Sequence, residues 1–357
     1  MYTPAVIINY EIMMRNLREI QELCNERGVK LRPHFKAHKT PYLADIQRQL
    51  GAIGFTTAKL AEAELLVEEG FKDILIAYPI VSEENVKRLK EISGKVKIST
   101  IIDSLEGAKI LSQGFANQTL DVLIKIDTGL NRCGLKPSSE DIFNFVKEVL
   151  KLKNLNLKGL LTHGGHSYKA KSIEEIKLIA ETEGKTLLNL KEFLEMKGIM
   201  IDEISVGSTP TLRHLLEIPQ ITEVRPGNYI FNDYTQVSLN TTTINNCALK
   251  VRSTVISRGN GKFIIDAGSK TLGLDKGTHG NEIIKGYGKI LEYPEAEIVA
   301  LSEEHGIVKS PMLPKIGEKI TIIPNHSCVV MNLAPFVYLE KEGKYILLEN
   351  KGSRLNF

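Results

Sequence analysis

The stretch DILIAYPIVSEENVKRLKEISGKVKISTIID, residues 73–103, indicates how the chain folds. Its first and last segments, DILIAYPI and KVKISTIID, are apolar and of strand length, and SEENVKRLKEIS between them has apolar residues at helical spacing. A strand, a helix and a second strand predict parallel pairing, because parallel strands need a long crossover connection. The stretch therefore predicts a βαβ unit of an α/β fold.

The same alternation recurs over roughly residues 28–230 and gives eight predicted strands. They are VKLRPH (29–34), AIGFTTA (52–58), DILIAYPI (73–80), KVKISTIID (95–103), LDVLIKID (120–127), LKGLLTH (157–163), DEISVG (202–207) and ITEVRPG (221–227). Eight strand–helix units favour a closed (β/α)8 TIM barrel. An open doubly wound sheet is the weaker alternative, since no GxGxxG motif opens the first helix.

The C-terminal third has a different pattern, of strands and turns. RGNGK (258–262) and EKEGK (340–344) are hairpin signals between apolar strands. We therefore expect an α/β barrel over residues 10–235, followed by a β-rich C-terminal domain over residues 236–357. The apolar segment within residues 1–9 is expected to join that domain as a strand.

Composition excludes some classes of function. The 357 residues carry 46 Lys+Arg against 43 Asp+Glu, and the net charge of +3 gives no argument for a nucleic-acid or membrane partner. No apolar run approaches the roughly 18 residues of a membrane span. The 4 cysteines form no CxxC pair or disulfide pattern, which predicts a reduced, cytoplasmic enzyme.

LRPHFKAHKT, residues 31–40, follows the first predicted strand and is rich in basic side chains. Lys36 lies just past that strand, at the end of the barrel where catalytic groups collect. Neighbouring bases, including Arg32 and His34, together with desolvation would lower the pKa of an ammonium group. Lys36 is therefore a candidate amine for bonding a carbonyl cofactor, and a basic surface loop is the alternative.

Other predicted strands also end in polar groups. SVGSTP follows the seventh strand just before a short predicted helix, and RPGN ends the eighth, so backbone N–H groups and hydroxyls there are candidates for binding a phosphate. The residues proposed for this phosphate site are Gly207, Ser208, Thr209, Gly227 and Asn228. With Lys36 on the same face, the arrangement fits pyridoxal 5′-phosphate, whose aldehyde would bond Lys36.

The C-terminal domain contains a candidate metal pair in PNHSC. His326 and Cys328 alternate at the end of a predicted strand, which would place both side chains on one face. Imidazole and thiolate are suitable zinc ligands, and two protein ligands would leave the ion open to water or substrate. A buried cysteine beside an incidental histidine is the alternative.

These motifs together resemble a known family. RPHFKAHKT, KIDTGLNRCG, THGGHSY, SVGSTPT, RPGNYIFND and PNHSC occur in this order. The chain resembles the D-threonine aldolase/D-serine dehydratase family of fold-type III pyridoxal-phosphate enzymes, relatives of alanine racemase. The resemblance implies a barrel followed by a β-domain, and a homodimer acting on small D-amino acids.

The resemblance also implies roles for particular residues. Lys36 would be the Schiff-base lysine and Arg132 would lie near the phenolic oxygen of the cofactor. His163 would lie near the pyridine ring with Tyr168 close by. His326 and Cys328 would bind a divalent metal, zinc first and manganese or magnesium as alternatives.

The metal pair separates reactions within this family. Dehydratase members tend to carry His-x-Cys and aldolase members His-x-Asp, so His326-Ser327-Cys328 favours a dehydratase acting on D-serine or D-3-hydroxyaspartate. D-threonine aldolase activity is the main alternative. An amino-acid racemase, using a tyrosine from the partner subunit, and a non-catalytic cofactor-binding protein are the others.

Overall fold

A computed structural model describes residues 1–280 and 283–354, which form two sheets with helices. The strands are β1 Ala5–Asn9, β2 Lys30–Leu31, β3 Phe55–Thr57, β4 Asp73–Pro79, β5 Lys97–Ile102, β6 Leu120–Lys125, β7 Leu155–Leu161, β8 Glu203–Val206, β9 Glu223–Val224, β10 Leu249–Gly259, β11 Lys262–Ile265, β12 Lys289–Ile290, β13 Glu297–Leu301, β14 Gly306–Lys309, β15 Lys319–Ile323, β16 Phe336–Lys341 and β17 Lys344–Glu349. The α-helices are α1 Tyr10–Arg27, α2 Pro41–Leu50, α3 Leu60–Glu68, α4 Glu83–Ser93, α5 Leu105–Gly114, α6 Ser139–Leu150, α7 Ile173–Met196, α8 Leu212–Leu215, α9 Tyr234–Ser238, α10 Ser269–Leu272 and α11 Ser327–Leu333.

Strands β2–β9 form one parallel sheet in the order β2-β9-β8-β7-β6-β5-β4-β3. A parallel bridge between His34 and Thr56 joins the two ends of this order just beyond β2 and β3. The sheet thus closes into the predicted (β/α)8 barrel, and the C-terminal ends of all its strands meet at one mouth.

The barrel strands are buried on both faces, which explains their continuously apolar sequences. Leu75, Ile101, Leu123 and Leu161 come from the neighbouring strands β4 to β7 and form a separate buried cluster of their own. The helices pack outside with one apolar face; on α1, for example, Met13, Leu17 and Ile20 are among the buried residues. This layered packing fixes the strand ends that carry the polar residues.

The second sheet contains the C-terminal strands and the first strand of the chain. Its main order is β13-β14-β11-β10-β1-β16-β17, and β15 pairs with both β10 and β12. Strand β1 lies between β10, to which it is antiparallel, and β16, to which it is parallel. The predicted incorporation of the N-terminal strand into the β-rich domain is therefore confirmed, as are the hairpins at β10–β11 and β16–β17.

One local prediction is wrong. The last predicted strand of the metal-pair region was expected to continue to His326, but β15 ends at Ile323, and α11 begins at Ser327. His326 is the N-cap residue of this helix, and the N–H of Ser327 donates to Asp233 Oδ2 at 3.0 Å. A carboxylate that accepts an N–H of the first turn stabilises the start of a helix. This contact therefore favours a helix here over a continued strand.

Within the described ranges, no helix has both the length and the apolar character that a membrane span requires.

Candidate active site

Lys36 lies at the barrel mouth, in a 3₁₀ turn, Phe35–Ala37, that follows β2. Burial lowers the pKa of its ammonium group, and Arg132 lowers it further, while Cys328 and Glu62 act in the opposite direction. These interactions indicate that Lys36 lies near both the Arg132 loop and the metal pair. The depressed pKa favours the neutral amine that bonding to an aldehyde requires.

His34, two residues before Lys36, was not among the predicted site residues. Burial lowers its pKa well below 6.5, and the nearby basic side chains of Lys36, His163 and Arg225 contribute in the same direction. Its Nδ1 atom is buried and has no hydrogen-bond partner among the described residues. A Cβ on Gly227 would come within 3.3 Å of His34 Cβ, so glycine lets the turn after β9 lie against this segment.

His163 follows β7 and belongs to the same cavity. Its Nδ1 lies 3.1 Å from the carbonyl oxygen of Gly207, and burial followed by the charge of Lys36 lowers its pKa well below 6.5. Its ring is therefore neutral at physiological pH. The predicted proximity of His163 to the Lys36 side of the barrel is consistent with this geometry, and its contact with a pyridine ring stays a prediction.

Glu183 is a buried carboxylate that sequence reasoning missed. Its Oε1 accepts the N–H of Gly164 and the N–H of Gly207, each at 2.9 Å, and so joins the turns after β7 and β8. Burial raises its pKa, although these N–H groups and nearby cations oppose the rise. Gly207 has a φ of 109°, a conformation that favours glycine, so the turn presents its N–H inward to this carboxylate.

The proposed phosphate site contains groups that are already engaged. The N–H of Gly207 is bound to Glu183, and the N–H of Ser208 donates to Thr211 Oγ1 at 3.2 Å. Ser208 Oγ also lies 3.1 Å from Ser167 Oγ. The proposal therefore depends mainly on Thr209, beside Tyr168, and on the turn at Gly227 and Asn228.

Tyr168 lies between the phosphate turn and the metal pair. Burial raises the pKa of its phenol, as do the charges of Cys328 and Asp233, while hydrogen bonds with Thr209 and Gln236 lower it. Tyr168 thus interacts with both regions, and its place close to the cofactor stays a prediction. The phenol stays protonated at physiological pH and is able to donate a hydrogen bond.

Arg225, directly after β9, is a second buried group that was missed. Its guanidinium donates to Ser205 Oγ at 2.5 Å and to the carbonyl of Thr162, and burial lowers its pKa to about 10. It contributes a positive charge close to His34. The sequence signal was an arginine at the strand end, in RPGN, which reasoning from glycines and amides passed over.

Arg132 occupies an exposed loop after β6. Asp127 holds that loop, since its Oδ1 accepts the N–H groups of Gly129 at 3.1 Å and Asn131 at 3.0 Å. The loop thus presents Arg132 toward the mouth, where its charge lowers the pKa of Lys36. That Arg132 lies near the phenolic oxygen of the cofactor stays a prediction.

The metal pair faces Lys36 from the C-terminal domain. His326 and Cys328 interact with each other across the start of α11, and Cys328 also influences Lys36. His326 Nδ1 lies 2.8 Å from Asp275 Oδ2. Burial alone would lower the pKa of His326, but Asp275 and Cys328 outweigh it and raise the pKa to about 10.

Asn228 connects the phosphate turn to the metal pair. Its Nδ2 donates to Asp233 Oδ2 at 2.5 Å and to Ser327 Oγ at 3.1 Å, and lies 3.8 Å from Cys328 Sγ. The Asn228 side chain therefore points toward α11, so only its backbone N–H remains for a phosphate. Asn228 Oδ1 is buried and accepts no hydrogen bond within the described part of the chain.

The residues present fit the two groups expected from the sequence. His34 Nδ1, near Lys36, and Asn228 Oδ1, near Cys328, are buried and have no hydrogen-bond partner within the described residues. Buried polar atoms of this kind fit a site that binds a polar group. An imidazole and a sulfur at the start of α11 form a donor set that suits zinc.

Comparison with known families gives two matches. The family described as "Alanine racemase, N-terminal domain" matches residues 8–235, and "Putative serine dehydratase domain" matches residues 248–339.

Similar proteins span most of the chain. The D-threo-3-hydroxyaspartate dehydratase of Delftia sp. strain HT23 is 30% identical over 91% of this chain and 90% of its own length. The D-serine dehydratase of Dictyostelium discoideum is 30% identical over 92% of this chain and 90% of its own length.

Solved structures give the same picture. The Delftia dehydratase superposes with a TM-score of 0.92 at 28% identity, covering 98% of this chain and 97% of the other. A cysteine-to-alanine mutant of that enzyme is described as metal-free. The D-threonine aldolase of Filomicrobium marinum superposes with a TM-score of 0.89 at 26% identity, covering 100% of this chain and 97% of the other.

Proposed function

The chain belongs to the family that joins an alanine racemase N-terminal domain to a serine dehydratase domain, and from this premise we propose that it is a pyridoxal-phosphate- and metal-dependent lyase. The proposed substrates are D-β-hydroxy amino acids, D-serine or D-3-hydroxyaspartate. Elimination of water from the substrate, followed by hydrolysis that takes up one water and releases ammonia, would give a keto acid. The observation that carries the proposal is the packing of the Phe35–Ala37 turn against α11, which brings the buried Lys36 amine near the Cys328 sulfur.

Lys36 has two proposed tasks. Its neutral amine would hold the cofactor aldehyde and, once released by the substrate, take the α-proton at Nζ. Because Lys36 approaches from one side only, proton removal would select the D-configuration. Bound pyridoxal 5′-phosphate would supply the electron sink for the charge that develops at the substrate Cα.

The remaining cavity residues would position the reactants. Arg132 would lie by the cofactor's phenolic oxygen and His163 by its ring, while Tyr168 would close the cavity between them and α11. Thr209, Gly227 and Asn228, with Gly207 and Ser208 shaping the turn, would hold the phosphate. Their contribution is orientation and exclusion of water.

His326 and Cys328 would hold the metal ion on the substrate's β-carbon side. A divalent ion there would supply Lewis acidity that makes the β-hydroxyl a better leaving group. The nitrogen and sulfur donor set supports Zn²⁺, with Mn²⁺ or Mg²⁺ as alternatives.

We also propose a homodimer located in the cytoplasm. The dimer rests on the family resemblance. The location rests on the cysteines, which are all free, as expected in a reducing compartment.

The test assays purified holoenzyme with zinc or manganese on D-serine, D-threonine and D-threo-3-hydroxyaspartate. We expect keto acid and ammonia in equal amounts, lost on chelation and in His326→Ala, with activity in Lys36→Ala lowered at least about 100-fold. The control is His305→Ala, which removes an exposed histidine of the β-domain.

Other products would redirect the assignment. Glycine and an aldehyde would identify the aldolase alternative, which the similarity to the Filomicrobium enzyme keeps open. Loss of α-chirality without elimination would indicate a racemase, and bound cofactor without turnover a binding protein.

A further inference from the structure

The histidine of the proposed metal pair has a carboxylate as a hydrogen-bond partner. Asp275 Oδ2 lies 2.8 Å from His326 Nδ1, although the two residues are 51 positions apart. Asp275 follows α10 and is 44% exposed, whereas the His326 side chain at the start of α11 is 18% exposed. The contact therefore joins a surface carboxylate to a group that faces the cavity.

This hydrogen bond determines which ring nitrogen of His326 carries the hydrogen. A carboxylate only accepts, so Nδ1 must carry the hydrogen that it donates to Asp275. In the neutral ring the lone pair then belongs to Nε2. Nε2 is consequently the nitrogen left to bind a metal together with the Cys328 sulfur.

We propose that Asp275 is a positioning residue for the metal site: it holds His326 in the metal-binding tautomer and orientation and makes Nε2 a stronger donor. The inference rests on the proposed function only in taking His326 and Cys328 as the metal ligands. Carboxylate partners of this kind typically change metal affinity 10–100-fold.

A simple surface ion pair would behave differently. An exposed pair adds little to folding stability and would not affect what binds on the opposite edge of the ring. Asp275 hydrogen-bonds to His326 of the metal pair, so its removal is expected to leave cofactor binding unchanged. Metal affinity is thus the property that distinguishes the two roles.

The experiment measures the Kd of Zn²⁺ by chelator competition in the cofactor-loaded wild type, Asp275→Ala and Asp275→Asn. The expected Kd is about 10–100-fold higher in Asp275→Ala, with a smaller loss in Asp275→Asn, whose amide oxygen still accepts from Nδ1–H. Asp202→Asn is the control, because exposed Asp202 precedes β8 at the other end of the barrel. Visible absorbance of the bound cofactor should match the wild type.

Zinc affinity in Asp275→Ala equal to that of the wild type would overturn the inference and leave the proposed function intact. A wild type that binds cofactor but no metal would overturn the metal part of the proposed function and the inference together. A loss of cofactor absorbance in both Asp275 variants would also overturn the inference, because the effect would then extend beyond the metal pair.

Discussion

Lys125 is a lysine buried at the end of β6, where the barrel interior leaves it only 4% exposed. Its Nζ donates to the carbonyl oxygen of Ile126 at 3.0 Å. Burial first, and Arg225 second, lower its pKa from 10.5 to about 8. A charged Lys125 at neutral pH therefore costs roughly 3 kcal/mol of folding free energy.

Replacing this lysine should stabilise the apoenzyme at neutral pH. Between about pH 8 and 10.5 the unfolded state binds a proton that the folded state lacks, so the wild type gains stability from Lys125 as pH rises through this window. The free-energy advantage of Lys125→Met should be largest below pH 8 and vanish near pH 10.5. Urea unfolding across this range measures it, with exposed Lys153→Met as the control; an advantage independent of pH would contradict the prediction.

A buried carboxylate, Asp233, helps to hold helix α11 to the barrel. Asp233 Oδ2 accepts from Asn228 Nδ2 at 2.5 Å and from the N–H of Ser327 at 3.0 Å, while Oδ1 accepts the N–H of Gln236 at 3.1 Å. The same residue thus caps α9 and fixes the start of α11. The position of the metal pair relative to Lys36 depends on this connection.

Substituting this carboxylate should loosen α11. Asp233→Asn would turn an amide NH₂ toward at least one of these donors, so that a hydrogen bond is lost. We therefore expect the free energy of unfolding to fall by about 2 kcal/mol and hydrogen exchange in α11 to become faster. Denaturant unfolding and exchange measured by mass spectrometry test this. Asp121→Asn is the control, since Asp121 accepts one hydrogen bond, from Asn156 at 2.6 Å. Equal losses in the two variants would show that Asp233 has no special role.

Sequence periodicity predicted the barrel because the apolar pattern of each strand and helix reflects which of its faces is buried. It failed at His326, where Asp233, distant in sequence, decides that a helix begins. It also missed Glu183, whose hydrogen-bond donors, the N–H groups of Gly164 and Gly207, become neighbours only when β7 and β8 pair. Asp275 was missed for the same reason, because nothing near it in sequence identifies its partner.

The two ends of the molecule are tied together by β1. Ile8 pairs with Leu249 of β10 and with Leu339 of β16, and its side chain is fully buried. Asn9 Nδ2 also donates to Glu340 Oε2 at 3.2 Å. The first strand therefore stabilises the C-terminal sheet, although it leads directly into the barrel helix α1.

Truncating a buried side chain of β1 should weaken the sheet more than the barrel. We expect Ile8→Ala to cost about 2–5 kcal/mol, because it leaves a cavity between two strands. Hydrogen exchange should increase first in β10 and β16. Tyr2→Ala, which alters a side chain that is 91% exposed, should change stability little; faster exchange confined to the barrel strands would contradict the expectation.

The position of β1 also has a consequence for synthesis on the ribosome. Strand β1 is translated before the barrel, but Glu340, its neighbour across the sheet, is 331 residues behind Asn9. The barrel is translated in full while β1 still lacks both of its partner strands. The C-terminal sheet can close only after β10 and β16 have been translated, so an apolar strand stays unpaired until then, and a chaperone that shields this segment would lower the risk of aggregation.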